Sequence, residues 1–210
     1  MARTAIESKD PEERRRRILA ATVEVVRDRG FAGTRVLDIS AAAGTSPGLV
    51  LYHFGSLAGA LAQALTFAED NYYADLERDL GAAAGPVERL RLMAELGANS
   101  SPAMGDWTLW LELWVRALRD ETARSTRLAL DRRWRGALRE VIEDGIRSGD
   151  FHPVDADVTT LRLASLMDGL AIQLALEDPG MTVQRFRELW LGSAALELGV
   201  PAELFLTGDH

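Results

Sequence analysis

The chain has no cysteine among its 210 residues. That excludes disulfides and thiolate metal sites, and it fits a reducing compartment, so a cytoplasmic protein is expected. Histidine is scarce. The three present, His53, His152 and His210, lack the paired spacing that metal sites and catalytic couples use. There is no P-loop and no dinucleotide-type glycine pattern. No catalytic residue, metal or cofactor is therefore expected, and an all-α enzyme stands as the weaker alternative. No apolar run approaches the ~20 residues that span a bilayer, so no membrane partner is expected. The charged N-terminal stretch is not followed by an apolar segment, so no secretory signal is expected either. Alternating strand patterns of useful length, internal repeats and low-complexity segments are all missing.

What is present is a globular composition, 47% hydrophobic, with an uneven charge. The whole chain carries a net −8, an odd value for a partner of nucleic acid. Residues 1–55, however, hold nine Arg and Lys against seven Asp and Glu, a net of +2, which leaves −10 on residues 56–210. A slightly basic head on an acidic body suggests that only the head meets phosphate. The expected division is a DNA-binding domain over 1–55 and a ligand-binding and dimerisation domain over 56–210.

The head is organised around Asp38–Phe54, DISAAAGTSPGLVLYHF. Ile39 and Ala43 share one helix face, and Gly44 suits the left-handed residue that ends a helix. Ser46 is an N-cap, and Pro47 fits the first position of a second helix. Val50 and Phe54 are again four apart, as needed to pack back on the first helix. This is the pattern of a helix-turn-helix, although an ordinary helix hairpin has similar spacing. Before it, Asp10-Pro11-Glu12-Glu13 starts a helix that runs to about Arg29 and is stopped by Gly30. Thr34 is the expected cap of the next helix. The run Arg14–Arg17 reads either as a solvated face or as phosphate contacts.

Downstream the pattern stays helical. A long helix is expected from Ser56 to about Leu80, then helices from Pro86 to about Asn99, Asp106 to about Leu118, Glu121 to Arg147, Asp157 to Leu176 and Thr182 to Leu198. Ser100-Ser101-Pro102 and Asp178-Pro179-Gly180 mark breaks. The fold class is all-α, with three helices in the head and about nine overall.

With these pieces in order, the chain resembles the tetracycline-repressor (TetR) family of transcriptional regulators. The likeness rests on ILAATVEVV, GFAGT and DISAAAGTSPGLVLYHF followed by a long helix, across Arg17–Leu65. The later segments LWLELWVRALRDE and LASLMDGLAIQLALED resemble the branch that includes the choline-responsive betaine-synthesis repressor. The resemblance implies a homodimer held by a bundle of the last two helices, a double-stranded DNA operator, a small-molecule effector and repression relieved by that effector. An adaptor that keeps the fold without DNA binding is the alternative. Three residues depart from the family pattern: Leu57 stands where a phosphate-binding lysine is usual, Ser40 where alanine is usual and Thr45 where valine is usual.

The N-terminal end of a recognition helix reaches base edges. Thr45, Ser46, Pro47, Gly48 and Leu49 occupy that end. Gly48 allows close backbone approach, Leu49 suits a thymine methyl, and Ser46 suits a phosphate or base. Thr34 and Arg35 open the preceding helix and suit backbone phosphate. By the resemblance, Tyr52 and His53 occupy phosphate-contacting positions. In the body, Trp107, Trp110, Trp114, Met104, Met167 and Phe151, with Asn99, are the expected lining of an effector site, and the tryptophans read equally as core. Aromatics beside a carboxylate also suit a cation; an apolar or aromatic effector is the expectation here. Asp168 and Gln173 face either the pocket or the dimer interface.

Overall fold

The computed structural model describes residues 10–98 and 107–206, apart from the side chains of residues 69, 72, 75, 108, 109 and 206. The described residues form ten helices and no strand. They divide into two compact units, Met1–Asn71 and Tyr72–His210, and the division falls inside the fourth helix. Among the described residues, no single helix is long and apolar enough to cross a membrane.

The head holds α1 (Pro11–Gly33), α2 (Val36–Ala42), α3 (Pro47–Phe54) and the first part of α4 (Leu57–Ala82). Ile18, Leu19, Ile39, Val50, Phe54, Ala60 and Ala64 close its core. Asp10 caps α1 by accepting from the Glu12 amide at 3.0 Å. Gly30 does break the helix, at φ 67°, but one further turn follows it and ends at Gly33. Burial of Phe31 in the core holds that turn in place. Thr34 does not cap α2 as expected. Its hydroxyl donates back to the Gly30 carbonyl at 2.7 Å, and Arg35 is the capping residue, with its amide donating to Asp38 Oδ2 at 3.1 Å.

The turn between α2 and α3 closes as the sequence predicts. Gly44 is left-handed at φ 60°. Its amide donates to the Ala41 carbonyl and the Thr45 amide to the Ser40 carbonyl, the paired bonds of a Schellman motif. Ser46 then caps α3 by accepting from the Leu49 amide at 3.2 Å. Ser40 is buried, and its hydroxyl donates to the Leu37 carbonyl, so the departure from alanine leaves no stranded polar group. Two of the four consecutive arginines brace this unit. Arg17 Nε donates to the Ala43 carbonyl at 3.1 Å, and Arg15 donates to Gln63 Oε1 at 2.6 Å. Arg16 is exposed.

In the body, α5 (Pro86–Ala98) packs against α7 (Glu121–Ser148), α8 (Ala156–Ala175), α9 (Val183–Leu198) and the short α10 (Glu203–Leu206), while α6 (Trp107–Ala117) packs on α7 and α8. Leu90, Met93, Leu138, Ile142, Leu163, Phe186 and Trp190 form the centre. Trp190 is fully buried, and its indole N–H is satisfied by the Leu163 carbonyl at 2.9 Å, which ties α9 to α8. The sequence pattern did not predict α10. Pro201 precedes it, and it is held by burial of Phe205 and by Arg91, whose guanidinium donates to the carbonyls of Leu204 and Phe205.

The α3–α4 corner depends on close approach. A Cβ on Gly59 would overlap the carbonyl oxygen of Phe54, whereas a Cβ on Gly48 would meet open space. Gly59→Ala should therefore destabilise the head by about 1–3 kcal/mol, as overpacking against backbone does. Gly48→Ala should be neutral or stabilising by up to ~1 kcal/mol, through helix propensity. Hydrogen exchange of the α2 and α3 amides, compared between the two variants, checks this. Equal protection in both would show that the corner yields.

Candidate nucleic-acid interface and effector site

Burial of Val50 and Phe54 sets the rotation of α3. On the opposite side Gly48, Tyr52 and Gly55 are exposed, with Tyr52 at 81%, and Leu51 is exposed on the flank. Ser46 is exposed at the tip, and Thr45, Pro47 and Leu49 are half-buried around it. Arg35 is exposed just before α2. Thr34 requires correction. It is buried, its hydroxyl is engaged by Gly30 and its amide donates to the Phe31 carbonyl, so it has no donor left for a phosphate. His53 is half-buried with its ring edge against Tyr52, and its Nε2 is shielded with no partner among the described residues. Leu57, in the position of the family's lysine, packs partly against the head core. The sequence reading passed over Leu51. It lies on the flank of the buried face of Val50 and Phe54 and is 42% exposed there.

In the body, the three α6 tryptophans are half-buried along one face. Trp107 donates its indole N–H to the Gly97 carbonyl at 3.0 Å, and its ring centroid lies 6.4 Å from that of Trp110. The Trp114 Nε1 is shielded and finds no acceptor among the described residues. Two further expected lining residues are buried. Phe151 is buried against Gly145, with its ring 6.4 Å from Phe205, because the chain folds back there and its amide bonds the Gly145 carbonyl. Met167 is buried against Gly97. Met104 and Asn99 lie outside the described residues.

A polar row runs along α7 beside α8. Asp131 is held by Arg127 at 2.6 Å and by Arg135 at 4.0 Å, one helical turn to either side. Asp168 of α8 is half-buried and makes no hydrogen bond or ion pair with the described residues. Burial pushes its carboxyl up to about 6; the neighbouring Asp131 adds to the rise, and Arg135 and Arg127 oppose it. Burial also raises Asp131, against the pull of both arginines. Gln173 is exposed, and its amide group donates to the Gly169 carbonyl of its own helix. Among the described residues, no cluster of three His, Asp or Glu is placed to hold a metal ion.

A capped helix pair with an outward recognition face, joined to a separate helical body, defines a helix-turn-helix DNA-binding regulator. Residues 18–62 match the bacterial regulatory proteins of the tetR family, and residues 86–197 match the C-terminal domain of BetI-type transcriptional repressors. The chain belongs to the TetR family of transcriptional regulators and carries a BetI-type repressor C-terminal domain. The HTH-type transcriptional regulator BetI of Burkholderia thailandensis is 28% identical over 171 residues, which cover 79% of this chain and 83% of that protein. A transcriptional regulator of Saccharomonospora viridis in complex with choline superposes with a TM-score of 0.77 at 29% identity, covering 85% of this chain and 94% of that one. A TetR-family regulator from Rhodococcus sp. gives a TM-score of 0.76 at 25% identity, covering 89% and 99%.

Asp168 yields a pH prediction. Its folded value lies above the ordinary 3.8, so the folded body binds this proton more tightly than the unfolded chain does. The ionised group therefore costs stability above about pH 6, and the cost fades as pH falls toward 4. Asp168→Asn should raise Tm near neutral pH by a few degrees, on a scale of ~2–4 °C per kcal/mol, and the gain should vanish at acid pH. Thermal melts at several pH values check this. A gain that is constant with pH would mean that the carboxylate bears no penalty.

Proposed function

We propose that this chain acts as a homodimer on an operator with dyad symmetry and leaves it when a small molecule enters the body. The observation that carries the DNA half is the α3 surface, where Ser46, Gly48 and Tyr52 stand outward while Val50 and Phe54 are consumed by the core. Arg35, Thr45, Pro47, Leu49 and His53 flank that surface and complete the proposed contact set; Thr34 drops out of it. Exposed apolar groups support the dimer. Val158, Leu161 and Leu176 on or just after α8, and Leu189 and Leu196 on α9, are open to solvent in a single chain. An obligate dimer made through them would bury above ~2,000 Å² in total.

For the effector, Trp110 and Trp114 are the lining we favour, since the Trp114 N–H finds no acceptor among the described residues and Trp107 is already bonded. That favours a flat apolar or aromatic molecule with one acceptor. A second reading, a cationic effector, is favoured by the half-buried Asp168, which has no ion pair among the described residues, and by the choline held in the Saccharomonospora viridis relative. In either case the effector must bind the two conformations of the dimer unequally, and a coupling of ~1–3 kcal/mol would lower operator affinity roughly five- to 150-fold.

Selection from a random duplex library should enrich a dyad-symmetric sequence with half-sites about 34–36 Å apart or a multiple of that, and the affinity should fall steeply with salt. The protein should sediment as a dimer at micromolar concentration. Absence of any enriched dyad would favour the adaptor alternative, and a monomer would contradict the proposed bundle.

Choline and a panel of neutral aromatic compounds separate the two effector readings. Under the cationic reading, choline releases the operator complex and Asp168→Asn abolishes that response while operator binding without choline is kept. Under the aromatic reading, Trp110→Ala removes the response and Asp168→Asn retains it. A Trp110→Ala protein that unfolds or loses the operator without ligand would place Trp110 in the core.

A further inference from the structure

Sequence-specific groove readers commonly use Arg, Asn or Gln, whose planar ends make paired hydrogen bonds to a base edge. No such residue occurs in Pro47–Phe54. The outward stripe of α3 is equally bare of them. Gly48 has no side chain and open space where one would stand, and Tyr52, 81% exposed beside it, carries a single hydroxyl. On their flank, toward the buried face, is Leu51, which is 42% exposed. The head's own packing makes no use of it, since Val50 and Phe54 supply the inward contacts. The remaining polar groups are partly committed. Ser46 accepts from the Leu49 amide, and His53 turns its Nε2 inward.

A major groove offers one apolar feature, the C5 methyl of thymine. Gly48 lets the α3 backbone come close to the base edges, which brings an isobutyl group one turn further along into reach of that methyl. We propose that Leu51, with Leu49 beside it, reads thymine methyl groups, so that base choice under α3 is a choice for a methyl rather than for a hydrogen-bond pattern. The inference rests on the operator reading above and assigns the specificity of that same surface.

The test replaces each thymine of the selected half-site, one at a time, with deoxyuridine, which lacks only the methyl. One or two positions should lose about fourfold in affinity, the equivalent of one buried methyl-sized group. Leu51→Ala should bind the thymine and deoxyuridine duplexes equally. Because residue 51 is exposed, this variant should keep the wild-type melting temperature. Tyr52→Phe, as a backbone contact, should weaken both duplexes alike. Deoxyuridine duplexes that bind as tightly as the parent at every position would overturn the inference and leave the operator reading standing. So would a loss that persists unchanged in Leu51→Ala. Failure to select any operator would sink the operator reading, and this inference with it.

Discussion

The head depends on one packing constraint, the burial of Val50 and Phe54 against Ile18 and Ile39. Such a small unit has no spare apolar surface, so these contacts fix both the rotation of α3 and its distance from α2. The outward placement of Gly48 and Tyr52, with Leu51 on the flank, follows from that rotation. Everything around the core serves to hold the geometry. The Schellman closure at Gly44 sets the turn, Ser46 sets the start of α3, and the glycine at 59 lets α4 leave close to the Phe54 carbonyl. Arg15 and Arg17, which in the sequence read either as a solvated face or as phosphate contacts, donate to Gln63 and to the Ala43 carbonyl.

The body is built on the opposite principle. Its core is large enough to bury Trp190 and Phe186 completely, and it can carry groups that cost stability. Asp168 is one of these: a half-buried carboxylate with no ion pair among the described residues, near a second carboxylate that takes both nearby arginines. The indole N–H of Trp114, without an acceptor among the described residues, is another. In a regulator of this family such groups are reasonable places for a ligand to act, because a bound molecule that completes them gains what the empty protein lacks.

Much of the molecule was readable from local patterns. Caps and breakers placed most helix ends within a residue or two: Asp10 and Ser46 as caps, Gly149 and Gly199 as left-handed ends. The helix-turn-helix was readable because its turn chemistry is local. The misses had a different cause. Thr34 has the chemistry of a cap, but the extra turn after Gly30 carries its hydroxyl back toward the Gly30 carbonyl. α10 follows a proline and has no periodicity of its own; burial of Phe205 and the reach of Arg91 create it. Phe151 looked like pocket lining because its partner, the bare backbone at Gly145, leaves no trace in a hydrophobic pattern.

Sequence alone was enough to expect an all-α fold and a helix-turn-helix pattern, because these rest on spacings of three and four residues and on capping groups that act within one turn; the family came from the likeness of whole motifs across Arg17–Leu65. Tertiary structure decided which of the candidate side chains remain available. Whether an arginine braces or contacts, whether a tryptophan N–H is satisfied, and which leucine of α3 points outward are all set by neighbours distant in the chain. The Gln63 that takes Arg15 is 48 residues away from it, and the α7 charges that surround Asp168 come from another helix. Contacts of that kind are fixed only when the helices pack.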